Sequence, residues 1–487
     1  MSLIYIENMM SLVIKSVFVS FLALVSCGAI AQEKYLYDNY DVMQSDEYKR
    51  GNKYQKDFLL LNALLKEHHP VFSILQRPQD CDSIVLEQYS YCSTCNSNVK
   101  FRYFIQSVVS RLHDGHTQIE GIDHRSELTY PVTFFDDETG IYVFSTLMSD
   151  SSFIGKRVSS MNGINTCDLI EAFRPLVSAS NNIEGEHRAI DRLTFFNAWS
   201  YLGKQRSDSL LIVQFSDSTK LHLKPIYLNG VKMFKKTLPT DSPRKYEKRP
   251  FSYTILQKQR LCYMQFDQCE DKATLYSVYH NMQLNEKQRI KIDEILKNIP
   301  AFDEFLDEMF EHMEREKVKV LIIDVRYNGG GNSVLCEKLL SRLSSHPIKL
   351  QTAVCKECDT RSLEDLKDFY MPSYGNLPKF KGDVVFIQGR STYSSAGLLI
   401  TTAVDNNIGY VIGDKSSFSP THYGDPISWI LPNTGQCVFV SQKLFVRPNR
   451  IKKETFVDPR VYIPSICLDI ILGRDKCWEW IEKKYKK

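Results

Sequence analysis

The sequence has little net charge and no long run of lysine and arginine. Its 487 residues carry a formal net charge of +3, which is too small to indicate a nucleic-acid-binding surface. It also has no low-complexity tract, and 43% of its residues are hydrophobic and 24% charged. Beyond the N-terminal segment, no apolar stretch predicts a membrane span. The composition is therefore that of a folded protein, and the length of the chain predicts two or three domains.

The N-terminal segment has the pattern of a secretory signal. Lys15 is followed by the apolar stretch SVFVSFLALVS and then by CGAIAQ, which is too short to span a bilayer as a mature helix. Two cleavage sites stay open: AIA before Gln32 suits an ordinary signal peptidase, whereas LVSC resembles a lipoprotein box with the lipid on Cys27. We expect residues 1–32 to be a signal peptide. The mature protein is then periplasmic or an outer-membrane-anchored lipoprotein, with membrane contact only through Cys27.

Among the 13 cysteines are two Cys-x-x-Cys pairs, Cys92/Cys95 and Cys355/Cys358. A four-thiolate zinc site would need the two pairs to meet in space, and nothing in their spacing indicates that they do. In an exported protein, local disulfides or buried thiols are the favoured interpretation. We therefore predict no metal site.

The first half of the mature chain divides into a helical region and a region of short strands. Residues 33–124 contain DFLLLNALLKEHHP, with helical spacing that ends at Pro70, and VKFRYFIQSVVSRLHDGHT, which stops at Gly115. Residues 125–236 contain IGKRVSSMNGINTCDLIEAF, which predicts a strand, a turn at Asn162–Gly163 and a helix. That order is similar to part of a PDZ-like module. Residues 237–250, rich in proline and charge, are the predicted linker.

Residues 251–487 read as an α/β domain. VKVLIIDV is a continuous apolar run, as expected of a parallel strand buried on both faces, and DVVFIQG and GYVIG follow as further strands. Helical patterns lie between them, which predicts a mostly parallel sheet covered by helices. One such helix, FDEFLDEMFEHM, carries an apolar stripe that we interpret as core.

Two turns that follow strands carry the residues suited to chemistry. VLIIDVR runs into YNGGGNS, where consecutive glycines let backbone N–H groups approach a ligand. STYSSAG follows the later strand and opens a helix, whose N-terminal amides favour a developing negative charge. The candidate nucleophiles there are Ser394 and Ser395. The simpler alternative is that these serines only cap a helix.

LIIDVRYNGGGN, STYSSAGLLITTAVDNNIGYVIGD and RLHDGHT, in this order along the chain, resemble the tail-specific or C-terminal-processing serine peptidases, whose relatives include the tricorn core. The resemblance covers most of the mature chain and is strongest over residues 318–415. It implies a Clp-protease/crotonase-like catalytic domain, together with a PDZ-like module and an N-terminal helical region.

The resemblance also implies roles for residues around STYSSAG. The family's nucleophile lies eleven positions before an aspartate of the next helix; that aspartate is Asp405, so the nucleophile is Ser394, with Ser395 as the alternative. The oxyanion hole would consist of the Ser395 amide and a glycine amide of NGGG, with Gly330 as the first choice.

The base is assigned by the same resemblance. Many members use a lysine that would fall at position 419, but this chain has Ser419 there, and Lys415 is out of register. The tricorn-like branch uses a histidine, which DGHT supplies as His116, and a carboxylate near the C-terminus, which KKETFVDP supplies as Glu454. In that branch a serine before the histidine links it to the glutamate; here Gly115 takes that place, so the link needs a direct contact, a water or Thr117.

Together these residues predict an exported serine endopeptidase that acts through an acyl-enzyme on a protein or peptide and needs no cofactor. The logic is that of a serine triad, recognised by roles and not by chain order. One alternative is a non-catalytic peptide- or lipid-binding relative of the same fold. Another, a crotonase-like acyl-CoA enzyme, is disfavoured by export because CoA is cytosolic.

Overall fold

The computed structural model describes residues 40–72, 89–121, 127–236, 238, 240, 242–245, 249–280, 285–355, 366–375 and 377–485. The predicted signal peptide, with Cys27, lies outside these residues. No helix within them is long and apolar enough to cross a bilayer.

The N-terminal part is helical, as the apolar spacing predicts. Its helices are α1 (Asp46–Arg50), α2 (Lys53–His68) and α3 (Asn98–Val109). The Asn52 side chain accepts the Tyr54 and Gln55 amides and so begins α2, which ends just before Pro70. A short strand, β1 (Gln118–Ile119), follows α3.

The central part contains two small antiparallel sheets and three helices. Its strands are β2 (Val132–Asp137), β3 (Gly140–Thr146), β4 (Val158–Met161), β5 (Ile164–Asn165), β6 (Leu211–Phe215), β7 (Lys220–Leu223) and β8 (Phe234–Lys235); its helices are α4 (Thr166–Phe173), α5 (Asn182–Arg192) and α6 (Phe196–Tyr201). The sheet orders are β2-β3-β8 and β5-β4-β6-β7. The predicted strand, Asn162–Gly163 turn and helix are present, with both turn residues at positive φ. Whether the whole part is a PDZ-like module stays a prediction.

The C-terminal part holds the remaining strands and helices. The strands are β9 (Phe251–Leu256), β10 (Leu261–Phe266), β11 (Val320–Asp324), β12 (Lys349–Leu350), β13 (Thr352–Cys355), β14 (Phe369–Tyr370), β15 (Asp383–Gln388), β16 (Tyr410–Gly413), β17 (His422–Ile430), β18 (Cys437–Val446) and β19 (Val461–Tyr462). The helices are α7 (Lys272–His280), α8 (Glu286–Lys297), α9 (Phe302–Arg315), α10 (Ser333–Ser341), α11 (Ser395–Asp405), α12 (Cys467–Ile471) and α13 (Lys476–Tyr485).

The predicted mixed α/β architecture centres on a six-stranded sheet of order β19-β16-β15-β11-β10-β9. The pairs from β10 to β19 are parallel and only β9 is antiparallel. All five residues of β11 are buried, because helices cover both faces of the sheet. The stripe of α9 packs into this core, as predicted, through Phe302, Phe305, Leu306, Met309, Phe310 and Met313.

A second sheet joins the N-terminal part to the C-terminal part. In it β18 pairs with β13, β17 and β1, all antiparallel. Gln118 of β1 lies opposite Phe439 of β18. This pairing brings the loop between α3 and β1, which carries the DGHT motif, to the C-terminal part of the chain.

The predicted linker is anchored where the structure describes it. Arg244 is buried and forms ion pairs with Asp324 at 3.0 Å and with Asp267 at 2.5 Å. A side chain held this way does not behave as a solvated spacer. Of the Cys-x-x-Cys residues, Cys92 and Cys95 are buried thiols.

Candidate active site

Ser394 lies in the turn between β15 and α11, in a backbone conformation that L-residues rarely adopt. Its φ is 50° and its ψ is −125°, and such strain, on the order of 1–3 kcal/mol, persists only where the surroundings fix it. Here the Tyr393 N–H donates to the Asn328 carbonyl at 3.0 Å, and the Thr392 hydroxyl donates to the Val325 carbonyl at 2.8 Å. The turn therefore holds Ser394 at the carboxyl edge of the sheet.

The glycine-rich turn after β11 meets the Ser394 turn. Gly330 has a φ of +107°, and a Cβ at this position would lie 2.6 Å from the Ser394 Cβ. Only glycine permits this approach. The Ser395 hydroxyl also donates to the Gly331 carbonyl at 2.6 Å. The two turns lie side by side because β11 and β15 are neighbouring parallel strands.

The two predicted oxyanion donors differ in availability. The Ser395 N–H is the first amide of α11 and has no acceptor among the residues that the structure describes. The Gly330 N–H instead donates to the Asn328 side-chain oxygen at 2.8 Å. Gly330 thus makes room for Ser394 while its amide already has an acceptor, and its role as an oxyanion donor stays a prediction.

Ser395 is poorly placed for its alternative role as nucleophile. Its hydroxyl is committed to the Gly331 carbonyl, and the residue is only 4% exposed. Ser394, by contrast, has its Oγ 3.4 Å from His116 Nε2. That distance is slightly long for a hydrogen bond, as is common for nucleophile and base without substrate.

His116 is thus the histidine that meets the predicted nucleophile. Its ring stacks on Tyr393, with centroids 5.0 Å apart. Two other histidines, His113 and His422, compete for this role. His113 is exposed. The His422 ring lies beside that of His116, with centroids 5.8 Å apart, but it stacks on Phe445 and its pKa is lowered to about 3, chiefly by burial. The structure brings Ser394 and His116 together from positions far apart in the sequence.

Burial lowers the pKa of His116 below its ordinary value, while the charges of Asp114 and Glu184 and a hydrogen bond with the Tyr423 backbone act to raise it. The net shift keeps the imidazole neutral at neutral pH. A neutral ring with an unprotonated Nε2 is the state that can accept a proton from Ser394.

Asp114 holds the DGHT loop from the inside. It is fully buried and accepts the His116 and Thr117 amides at 2.8 and 3.0 Å, the Ser441 hydroxyl at 2.6 Å and His69 Nε2 at 3.2 Å. Burial alone would raise the pKa of Asp114, but the contacts with His69, His116 and Ser441 outweigh it and hold this pKa well below its usual range. Its Oδ1 is 3.8 Å from His116 Nδ1.

A second carboxylate lies behind the His116 ring. Glu184 of α5 is 1% exposed, and its carboxylate is 2.7 Å from Arg188 and accepts the Ser180 amide at 2.6 Å. Its Oε1 and the Tyr393 hydroxyl oxygen border the same space beside Gly115, and that hydroxyl lies 3.4 Å from His116 Nδ1. The ring therefore has the nucleophile on one nitrogen and a buried polar group on the other.

The structure does not place Glu454 beside His116. The Glu454 side chain is 52% exposed and its carboxylate pairs with Arg447 at 3.2 Å. The direct contact, one of the three links left open by the sequence, is therefore absent. The described carboxylates whose charges act on the imidazole are those of Asp114 and Glu184. Lys415 lies over the Phe456 ring and not at Ser394, in keeping with the prediction that it is out of register.

Sequence reasoning missed three residues of this site. Asp114 and Tyr393 stand inside the motifs DGHT and STYSSAG, so their positions beside His116 and Ser394 were a usable signal. Glu184 gave no signal, because its helix lies in the central part of the chain and reaches the site only through the fold.

Comparison with known proteins gives a family and a fold. Residues 290–455 match the model of peptidase family S41, a span that includes Ser394 but not His116. Mature CPAF complexed with lactacystin has a similar structure, with a TM-score of 0.60 at 14% identity, covering 89% of this chain and 97% of that chain. Mature CPAF alone gives 0.58 at 13% identity, covering 89% and 96%. A search of curated proteins found no match.

Proposed function

The chain belongs to peptidase family S41 and is a serine-type peptidase, and from this premise we propose that it is an exported endopeptidase of the tail-specific, C-terminal-processing type. The observation that carries the proposal is the strained Ser394, whose Oγ lies 3.4 Å from the neutral His116 ring and beside the open Ser395 amide. Nucleophile, base and one oxyanion donor are thus in place at one sheet edge.

The proposed reaction has two halves. Ser394 Oγ attacks the carbonyl carbon of the scissile peptide bond while His116 Nε2 accepts the hydroxyl proton. The Ser395 N–H donates to the developing oxyanion, and the imidazolium returns its proton to the leaving amine, which leaves an ester on Ser394. Water then attacks this ester with His116 again as the base. The acid product departs and Ser394 regains its proton.

The proposal is tested by hydrolysis of fluorescently labelled casein. We expect wild-type protein to release labelled peptides and Ser394→Ala to lose at least about 10³-fold in kcat/KM with an unchanged Tm. Ser395→Ala is the matched control and should lose much less, since the reaction needs only its amide. Equal activity of wild type and Ser394→Ala would overturn the assignment.

A second candidate, a non-catalytic peptide-binding relative, is favoured by one observation. The Gly330 N–H is occupied by Asn328, which leaves the oxyanion site with one open donor of the predicted two. A binder should retain peptides without cleaving them and should not react with a fluorophosphonate probe. Labelling of wild-type protein excludes this candidate.

We also propose that the protein acts outside the cytoplasm. The support is the signal-like segment with AIA before Gln32 and the lipoprotein-like LVSC at Cys27. Cell fractionation of the protein and of Cys27→Ala tests the alternatives. A lipoprotein leaves the membrane fraction when Cys27 is replaced, a freely soluble exported protein does not change fraction, and a cytoplasmic location of the wild type would refute export.

A further inference from the structure

We propose that Tyr393 and Glu184 form the positioning pair of His116, with the tyrosine hydroxyl linking the imidazole to the carboxylate. This inference rests on the proposed roles of Ser394 and His116. Neither residue of the pair touches the substrate in this account; both act through the ring of His116.

The first observation is the shape of the space beside Gly115. A Cβ at this residue would lie 2.2 Å from Glu184 Oε1 and 2.3 Å from the Tyr393 hydroxyl oxygen. These two atoms therefore occupy the volume that a side chain at position 115 would fill. The residue before His116 is a glycine because a carboxylate and a phenol from elsewhere in the chain press against its backbone.

The second observation is the chain of polar contacts. The Tyr393 oxygen is 3.4 Å from His116 Nδ1, and Glu184 Oε1 borders the same space beside Gly115 as this oxygen. Burial, and then the Glu184 charge, raises the pKa of Tyr393 well above its ordinary value, so the phenol keeps its proton. The Nδ1–H can then donate to the phenol oxygen while the phenol O–H donates to the carboxylate. This order fixes the tautomer that leaves Nε2 unprotonated towards Ser394.

The third observation is that Glu184 is itself held firmly. It accepts the Ser180 amide at 2.6 Å and pairs with Arg188 at 2.7 Å. Arg188 in turn donates to the carbonyls of Gly115 and Ser178 at 2.9 and 2.8 Å. The carboxylate is thus tied to the backbone of the loop that carries His116, as a positioning group must be.

Asp114 is the competing candidate for this role, and its contacts disfavour it. Its Oδ1 is 3.8 Å from His116 Nδ1. Its oxygens already accept from two loop amides and also from the Ser441 hydroxyl and His69 Nε2. The backbone of Tyr423 also hydrogen-bonds the imidazole. We therefore expect the loss of the Tyr393 hydroxyl to weaken catalysis without abolishing it.

The test measures peptide hydrolysis by Tyr393→Phe, Glu184→Gln and the double variant. Tyr393→Phe keeps the ring that stacks on His116 and removes only the hydroxyl. We expect kcat to fall about 10- to 100-fold in each single variant, within what general acid–base catalysis supplies, with KM changed less than about twofold. The double variant should be no worse than the poorer single variant, because groups that act as one unit lose activity non-additively.

Matched controls come from exposed residues of the same types. Glu186→Gln changes an exposed glutamate two positions after Glu184 on α5. Tyr370→Phe changes a tyrosine that is 51% exposed. Both should keep wild-type kcat. If Tyr393→Phe fails to fold, as judged by its Tm, Glu184→Gln decides the question alone.

The pH profile of kcat/KM supplies a readout that a merely structural role would not move. The titratable and charged groups around His116 are Asp114, Glu184, Arg188, Tyr393 and His422. Glu184 acts to raise the pKa of His116, so Glu184→Gln should move the acid limb of the profile to lower pH. A loss of folded enzyme would lower kcat/KM by the same factor at every pH and would not shift the acid limb of the profile.

The outcomes separate this inference from the proposed function. Full activity and an unshifted limb in Tyr393→Phe and Glu184→Gln, with Ser394→Ala inactive, would overturn the positioning pair alone. Additive losses in the double variant would also overturn it, since the two residues would then act independently. An inactive wild type would instead refute the proposed function.

Discussion

The nucleophile and the base of this site are held in different ways. Ser394 is fixed locally, by a strained turn at the end of one strand and a glycine turn at the end of its neighbour. His116 is fixed remotely, by a loop whose buried Asp114 accepts from His69 and Ser441, residues far away in the sequence. The nucleophile is thus positioned by two neighbouring turns, whereas the position of the base depends on the whole fold.

Two carboxyl groups, one in the loop of His116 and one beside the glycine turn near Ser394, also differ in their hydrogen-bond partners. Asp114 has several donors, which keep its pKa below the ordinary range although burial alone would raise it. Glu270, whose side chain lies beside Gly331, is partly buried, and burial raises its pKa to about 8. A fully partnered carboxylate stabilises the fold when ionised; an unpartnered one opposes ionisation.

Asp114→Ala tests the remote side and should have the largest effect on stability. It leaves four donors without an acceptor, and breaking such a buried charged network costs about 3–5 kcal/mol. Because the pKa of Asp114 is depressed in the folded state, this contribution is present above the unfolded-state pKa of about 3.9 and is lost as the pH falls. Denaturant unfolding at pH 7 and pH 3 measures it. Asp293→Ala, exposed on α8, is the control; equal losses in the two variants would contradict the anchoring role.

Gly330→Ala tests the local side. The new Cβ would lie 2.6 Å from the Ser394 Cβ at a φ of +107°, so we expect a loss of about 3 kcal/mol and a severe loss of peptide hydrolysis. Gly435→Ala separates strain from collision, because Gly435 also has positive φ (+70°) but nothing within 4 Å of its Cβ position. It should cost about 1 kcal/mol. If both substitutions cost the same, the contact with Ser394 does not constrain Gly330.

Glu270→Gln should stabilise the protein, by about 1–3 kcal/mol at pH 8. The folded-state pKa of Glu270 is raised to about 8 from a reference value of 4.5. The unfolded chain therefore ionises first, and wild-type stability falls as the pH rises from about 4.5 to about 8. The advantage of the variant should be smallest at pH 4.5 and grow over this window. Glu294→Gln, exposed on α8, should show no such growth, and a pH-independent effect of Glu270→Gln would contradict the shifted pKa.

Glu454→Gln should have the smallest effect. The carboxylate is half exposed and pairs with Arg447, which also pairs with the buried Asp405, and exposed ion pairs contribute about 0–1 kcal/mol. We expect kcat/KM within about twofold of wild type. A 100-fold loss of kcat/KM would mean that Glu454 acts on His116. It would contradict the distinction between a locally held nucleophile and a remotely held base.

The sequence predicts most of the C-terminal sheet and only part of the site. Buried parallel strands such as VLIID and the stripe of α9 have periodicities that local sequence determines. Ser394 and His116 could be named because each stands in a short motif. Glu184 could not, since its helix contacts His116 only after three parts of the chain pack together. A contact of Glu454 with His116 was inferred from a resemblance alone, whereas the fold directs the Glu454 side chain to Arg447.

The most direct test of Ser394 as the nucleophile is to locate a fluorophosphonate label by mass spectrometry of the digested protein. We expect the label on Ser394 of wild-type protein, a strongly reduced rate of labelling in His116→Ala and normal labelling of Ser394 in Ser395→Ala. A label on Ser395, or a folded wild-type protein that takes no label, would contradict the claim that Ser394 is a nucleophile activated by His116.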